Sequence, residues 1–169
     1  FLKSLGVVGL FFTCTAIYRL TRFWFSSSMA VIPVIWLLAY RGEIIWSVSG
    51  LETTVYQALL VYSVVFLLQG LRYSPHSNQA FIPHVKKYDL HSMAFAGLFL
   101  AIASLTRPEA PILMAVFMVL AYFLDKSDSR VGFGIFVAVF MLCFVPYFLW
   151  RWHYFGRLFP NPVYCKGLP

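Results

Sequence analysis

LHSMAFAGLFLAIASLTRPEAPILMAVFMVLAYFL, Leu90 to Leu124, is almost unbroken apolar chain around one polar knot, SLTRPEAP from Ser104 to Pro111. Its halves, Leu90 to Leu105 and Pro108 to Leu124, each fall a little short of the roughly 20 apolar residues that a helix needs to cross hydrocarbon. They read as two full helices or as a re-entrant pair meeting at the proline. Either choice leaves the chain before and after them on one side.

Outward from this stretch lie four more apolar segments: Leu5 to Tyr18, Phe23 to Tyr40, Thr53 to Leu71 and Val131 to Trp150. The 169 residues are 61% hydrophobic, 20% aromatic and only 11% charged, more apolar than a soluble core of this length requires. Open sheets cannot satisfy their backbone in hydrocarbon, so the expected fold is all-α. It is a polytopic transmembrane helix bundle of about six spans, with residues 1–169 as one membrane domain. The start at Phe1 and the stop at Gly167, Leu168 and Pro169 are those expected of a fragment cut from something longer.

Other classes are disfavoured by what the spacing lacks. Cys14, Cys143 and Cys165 lie far apart, without CxxC or metal-ligand spacing, and read as small apolar residues. No pattern specifies a metal or a cofactor. His84 to His91 reads as a solvated connector, with Lys86 and Lys87 able to touch anionic head groups. The net charge of +7 is scattered among loops and forms no stripe, which argues against nucleic acid.

Counting through the segments sorts the loops onto two faces. Arg19 to Arg22, Arg72 to Asp89 and Asp125 to Arg130 share one; Arg41 to Glu52, the SLTRPEAP knot and the chain after Trp150 share the other. Lys and Arg number seven on the first and six on the second, so charge alone barely orients the protein. The first face has plain polar connectors; the second mixes aromatics, glycines and isolated charges and is where chemistry is expected.

Two motifs on that second face share the S/T-x-x-E form of a capping box, Thr106-Arg107-Pro108-Glu109 and Ser49-Gly50-Leu51-Glu52. They predict helices beginning near Arg107 and near Gly50. One reading is that both merely finish helix ends. The other is that two helix N-termini converge on an anion, with Arg107 adding a bidentate fork for phosphate and Glu52 or Glu109 as its resting partner. The tail RWHYFGRLFPNPVYCK, Arg151 to Lys166, mixes five aromatics with four basic or histidine residues. Gly156, Pro160 and Pro162 keep it from being a simple helix. It is either an aromatic belt or a shaped surface loop.

SGLET (Ser49 to Thr53), LTRPE (Leu105 to Glu109) and YFGRLFPNPVYCK (Tyr154 to Lys166), in this order with these spans between, resemble the polytopic glycosyltransferases of the GT-C superfamily, closest to bacterial arabinofuranosyltransferase-like members. The resemblance implies transfer of a sugar from a polyprenyl-phosphate carrier to an extracytoplasmic glycan or other envelope acceptor. It implies a bacterial inner-membrane protein, embedded in the lipid bilayer, that binds substrate through Ser49, Gly50, Glu52, Arg107, Glu109, Tyr154, Asn161, Tyr164 and Lys166. Its acidic catalytic residue, usually an Asp of the first extracytoplasmic loop, is expected upstream of this chain, with Glu52 the candidate within it. The competing classes are a transporter or flippase-like binder of a lipid-linked or anionic substrate, and a structural membrane subunit.

Overall fold

A computed structural model describes residues 2–49, 52–73, 89–107, 110–124 and 130–156, all helix, turn or short connection. The order is α1 (Leu2–Thr21), a 3-10 turn (Met29–Val31), α2 (Ile32–Ala39), α3 (Arg41–Val48), α4 (Thr53–Gly70), α5 (Leu90–Thr106), α6 (Ala110–Leu124) and α7 (Arg130–Phe155). Windows in α1, α4 and α7 are long and apolar enough to cross a membrane, and α5 is a shorter apolar helix. The outward residues are large and apolar: Trp36, Leu142 and Ile112 are 78%, 75% and 68% exposed. Lipid accepts such a surface and water does not, which is consistent with an integral membrane protein.

Among the described residues three helices, or four if the bent pair Met29–Ala39 and Arg41–Val48 is one span, are long and apolar enough to cross a membrane, so the expected count of six is not confirmed. Phe23 to Tyr40 is no single helix: residues 22–28 are turns and bends around Ser26, Ser27 and Ser28, and only eight residues after Val31 form α2, with Pro33 in its first turn. Arg41 to Val48, expected as loop, is helix α3, set at 67° to the preceding helical stretch. Tyr40, extended at φ −76° and ψ 109°, makes the break.

Helix directions follow from the contacts. Thr13 donates to the Thr54 carbonyl, the Thr15 and Tyr62 hydroxyls lie 2.7 Å apart, and Trp24 meets Tyr73, so α1 and α4 run parallel. Ser63 donates to the Ala96 carbonyl and Gly70 lies against Met93, so α5 runs back along α4. Gly6 lies against Ser47, so the bent pair α2 and α3 carries the chain from the far end of α1 to its beginning.

Between apolar helices in lipid, close backbone approach and interhelical hydrogen bonds replace the hydrophobic effect as the source of association. The seams use both. Gly9 meets Thr54 and Val55, and Gly97 meets the α7 backbone at Phe136 and Phe140. Thr54 donates to the Gly6 carbonyl at 3.0 Å. Met93, Leu100 and Phe136 are fully buried where α4, α5 and α7 join, with Met114 and Phe117 of α6 completing the cluster.

Two helix ends give predictions of their own. Tyr73 donates to the Leu68 carbonyl and Arg72 to that of Gln69, a Schellman ending that puts Arg72 at φ +51°. Glycine suits that conformation, so Arg72→Gly is expected to raise stability by about 1 kcal/mol in thermal unfolding. At the start of α5, Asp89 accepts from the Ser92 hydroxyl at 2.6 Å and the His91 amide at 3.2 Å. The Ser92 hydroxyl, helped by the Ser92 and His91 amides and the His91 ring, holds this carboxyl below its ordinary 3.8. A depressed folded-state value stabilises above the ordinary one and is lost as pH falls through it. Asp89→Ala is therefore expected to lower stability by about 1 kcal/mol at neutral pH, a difference that shrinks in melts as pH falls through and below the ordinary carboxylate value.

Candidate functional site

The SLTRPEAP knot works as a stop before it works as a start. Proline disfavours the α conformation in the residue before it, and Arg107 sits extended at φ −137°, ψ 137°. Helix α5 therefore ends at Thr106, whose hydroxyl donates back to the Ala103 carbonyl at 2.7 Å. Helix α6 begins at Ala110, three residues beyond the predicted start. The expected capping role of Thr106 for that helix is thus corrected. Glu109 and Pro108 lie outside the described residues.

The second box is corrected in the same way. Ser49 is the C-cap of α3 and its hydroxyl donates to the Trp46 carbonyl, because the preceding residues are already helical. Helix α4 starts at Thr53 rather than near Gly50, with Glu52 as an N-cap residue whose side chain makes no cap hydrogen bond. Gly50 lies outside the described residues.

What the two motifs share is position. The Arg107 guanidinium donates to the Thr53 hydroxyl at 2.9 Å, stands 3.6 Å from the Glu52 carboxylate and lies over the Tyr56 ring at 5.1 Å. One cation is thus held by the first turn of α4 through a hydroxyl, a carboxylate and a ring. The Arg107 side chain remains 34% exposed and that of Glu52 53%. A half-exposed ion pair of this kind is weak, well under about 1 kcal/mol, and readily yields to a better anion. The open part of the guanidinium is able to take a small anion in place of Glu52.

The other expected site residues divide. Tyr154 belongs to α7, which continues through Arg151 to Phe155 and so takes in the start of the predicted loop. Gly156 then ends the helix at φ +64°. The Tyr154 ring meets Trp150 at 5.8 Å and Phe155 at 4.8 Å, an aromatic end for α7 rather than part of the Arg107 cluster. Asn161, Tyr164 and Lys166 lie outside the described residues.

Sequence reasoning missed Thr53 and Tyr56. Their signal was present, since residues three apart on a helix share a face and Glu52 opens that helix. It also missed Glu43, counted as loop. Glu43 is 2% exposed inside α3, accepts from Gln57 Nε2 at 3.3 Å, and leaves its own Oε1 and the Gln57 Oε1 without a hydrogen-bond partner among the described residues. Among the described residues no group of three His, Cys, Asp or Glu is placed to hold a metal ion. No protein-family model, curated protein or solved structure matches the chain.

Proposed function

We propose that this chain is the helical membrane part of a glycosyltransferase that takes a sugar from a polyprenyl-phosphate carrier and passes it to a glycan or other acceptor outside the cytoplasm of a bacterial inner membrane. The observation that carries the reading is Arg107, a partly exposed guanidinium held by Thr53, Glu52 and Tyr56 at the start of one apolar helix and the end of another. A carrier lipid presents its phosphate at such a level while its chain stays among the apolar helices. Thr53 orients the fork, Glu52 restrains it until the phosphate arrives, and the Tyr56 ring supports its face. A full-length protein photolabelled with a benzophenone polyprenyl phosphate is expected to carry the label on the peptides around Tyr56 and Arg107. Labelling elsewhere alone defeats the reading.

One observation favours a second reading, a transporter or flippase-like binder of a lipid-linked or anionic substrate. Buried ionisable groups beside broken helices mark substrate or ion paths in transporters, and Glu43 lies just past the Tyr40 break with one oxygen that meets no hydrogen-bond partner among the described residues. Glu43→Gln separates the two. For a glycosyltransferase the change leaves donor affinity unaltered and raises stability by about 1 kcal/mol, since an amide brings a donor to a buried pair that leaves two oxygens unsatisfied. For a transporter it stops movement of substrate in proteoliposomes.

A further inference from the structure

The end of α4 away from Arg107 holds a second cationic feature. Arg19, on the last turn of α1, is exposed, and its guanidinium lies over the Phe66 ring at 5.6 Å and the Tyr62 ring at 5.9 Å. Those rings begin a wall that continues onto α5. Phe66 meets Phe99 and Phe95, each at 5.4 Å, and Tyr62 meets Phe99 at 5.6 Å. Helix α4 runs one to two turns past these rings to Gly70. The guanidinium therefore sits within the apolar length of the span, not beyond its end.

An arginine at that depth is held by whatever negative charge can reach it. Among the described residues no carboxylate lies within ion-pair reach of Arg19, Arg22 or Arg72. Arg22 follows α1 and Arg72 follows α4, and the contact of Trp24 with Tyr73 at 5.8 Å ties the two helix ends together. Asp89, at the same end of the bundle, is engaged by Ser92 and the His91 amide. Arg72 keeps a long cation in a backbone conformation that glycine would hold with less strain.

We propose that this end binds one anionic phospholipid of the surrounding leaflet. Its phosphate rests on Arg19, one acyl chain follows the wall of Tyr62, Phe66, Phe95 and Phe99, and Arg22 and Arg72 attract the net negative head group. A free phosphate would leave the ring wall unused, and a zwitterionic lipid would gain little from three arginines. An anion joined to hydrocarbon meets both halves of the surface, and at this depth in a membrane the leaflet supplies it. The site lies at the opposite end of α4 from Arg107, so its failure leaves the carrier-phosphate reading standing.

The test uses the full-length protein in phosphatidylcholine nanodiscs with phosphatidylglycerol titrated in, and counts retained lipid by native mass spectrometry. One phosphatidylglycerol is expected to stay bound in preference to phosphatidylcholine. Arg19→Gln should weaken its binding about tenfold by loss of a charge-assisted contact. Arg72→Gly should weaken it about fivefold, the effect of one cation near an anionic surface, with a melting temperature no lower than that of the parent. That pairing excludes misfolding as the cause. Equal retention of the two lipids, or unchanged phosphatidylglycerol affinity in both variants, overturns the proposal. Displacement by equimolar polyprenyl phosphate overturns the assignment to a phospholipid.

Discussion

Arg107→Ala in the full-length protein is expected to weaken binding of a polyprenyl-phosphate sugar by about 2 kcal/mol, roughly thirtyfold, while its melting temperature falls by only about 2–4 °C. The contrast follows from what the guanidinium does at rest. Its partners are one hydroxyl, one carboxylate at 3.6 Å and one ring, and about a third of the side chain is open. Together these contribute on the order of 1 kcal/mol to stability. A phosphate gripped by the planar fork away from bulk water is worth more. Arg107→Lys keeps the charge, loses the fork and should recover little of the affinity. Thr106→Ala serves as the comparison, because that hydroxyl is occupied by its own helix at Ala103. Donor titrations of the three variants beside their melts decide the matter, and an unaltered donor affinity in Arg107→Ala removes the phosphate role.

Gly97→Ala should have a large effect on stability, a loss of about 3 kcal/mol or more. A Cβ there would press into the Phe136 carbonyl oxygen, with the Phe136 carbonyl carbon and the Phe140 amide nitrogen each at 3.3 Å. These are backbone atoms of a continuous helix, and no rotamer change makes room. The two helices would have to separate around Phe136 and Phe140, which are 0% and 2% exposed. Gly134 on α7 provides the control: a Cβ there meets nothing within 4 Å. Gly134→Ala should stabilise by up to about 1 kcal/mol through helix propensity. Thermal unfolding of both in one detergent tests the pair, and equal melting of Gly97→Ala and the parent would show that α5 and α7 do not meet backbone to backbone.

Where hydropathy was uninterrupted, the sequence located the helices closely. The segments Thr53 to Leu71 and Leu90 to Leu105 match α4 and α5 to within a residue at each end. Reading failed where polar residues sit inside a helix. Arg41, Gly42 and Glu43 look like loop on any apolar scale, yet they open α3, because Glu43 turns inward to Gln57 while Ile44 and Ile45 face outward. Phe23 to Tyr40 failed the other way: its composition is apolar, but three consecutive serines and Pro33 favour turns at its start. The site was half legible. That the SGLET and LTRPE stretches lie at one end followed from span parity, whereas their service as helix stops depended on the conformation imposed before Pro108 and on a helix, α3, that the pattern concealed.

The bend at Tyr40 also bears on the shape of the surrounding bilayer. With rises of about 2.0 Å and 1.5 Å per residue for 3-10 and α-helix, the stretches Met29–Ala39 and Arg41–Val48 measure about 18 Å and 12 Å. Set at 67°, they reach about 25 Å end to end. Ordinary hydrocarbon is about 30 Å thick, so the bent pair by itself falls about 5 Å short of a full crossing. Trp36 and Ile35, 78% and 60% exposed, stand on that flank. A flank shorter than the bilayer favours thinner membrane regions, at fractions of a kcal/mol for each Å of mismatch.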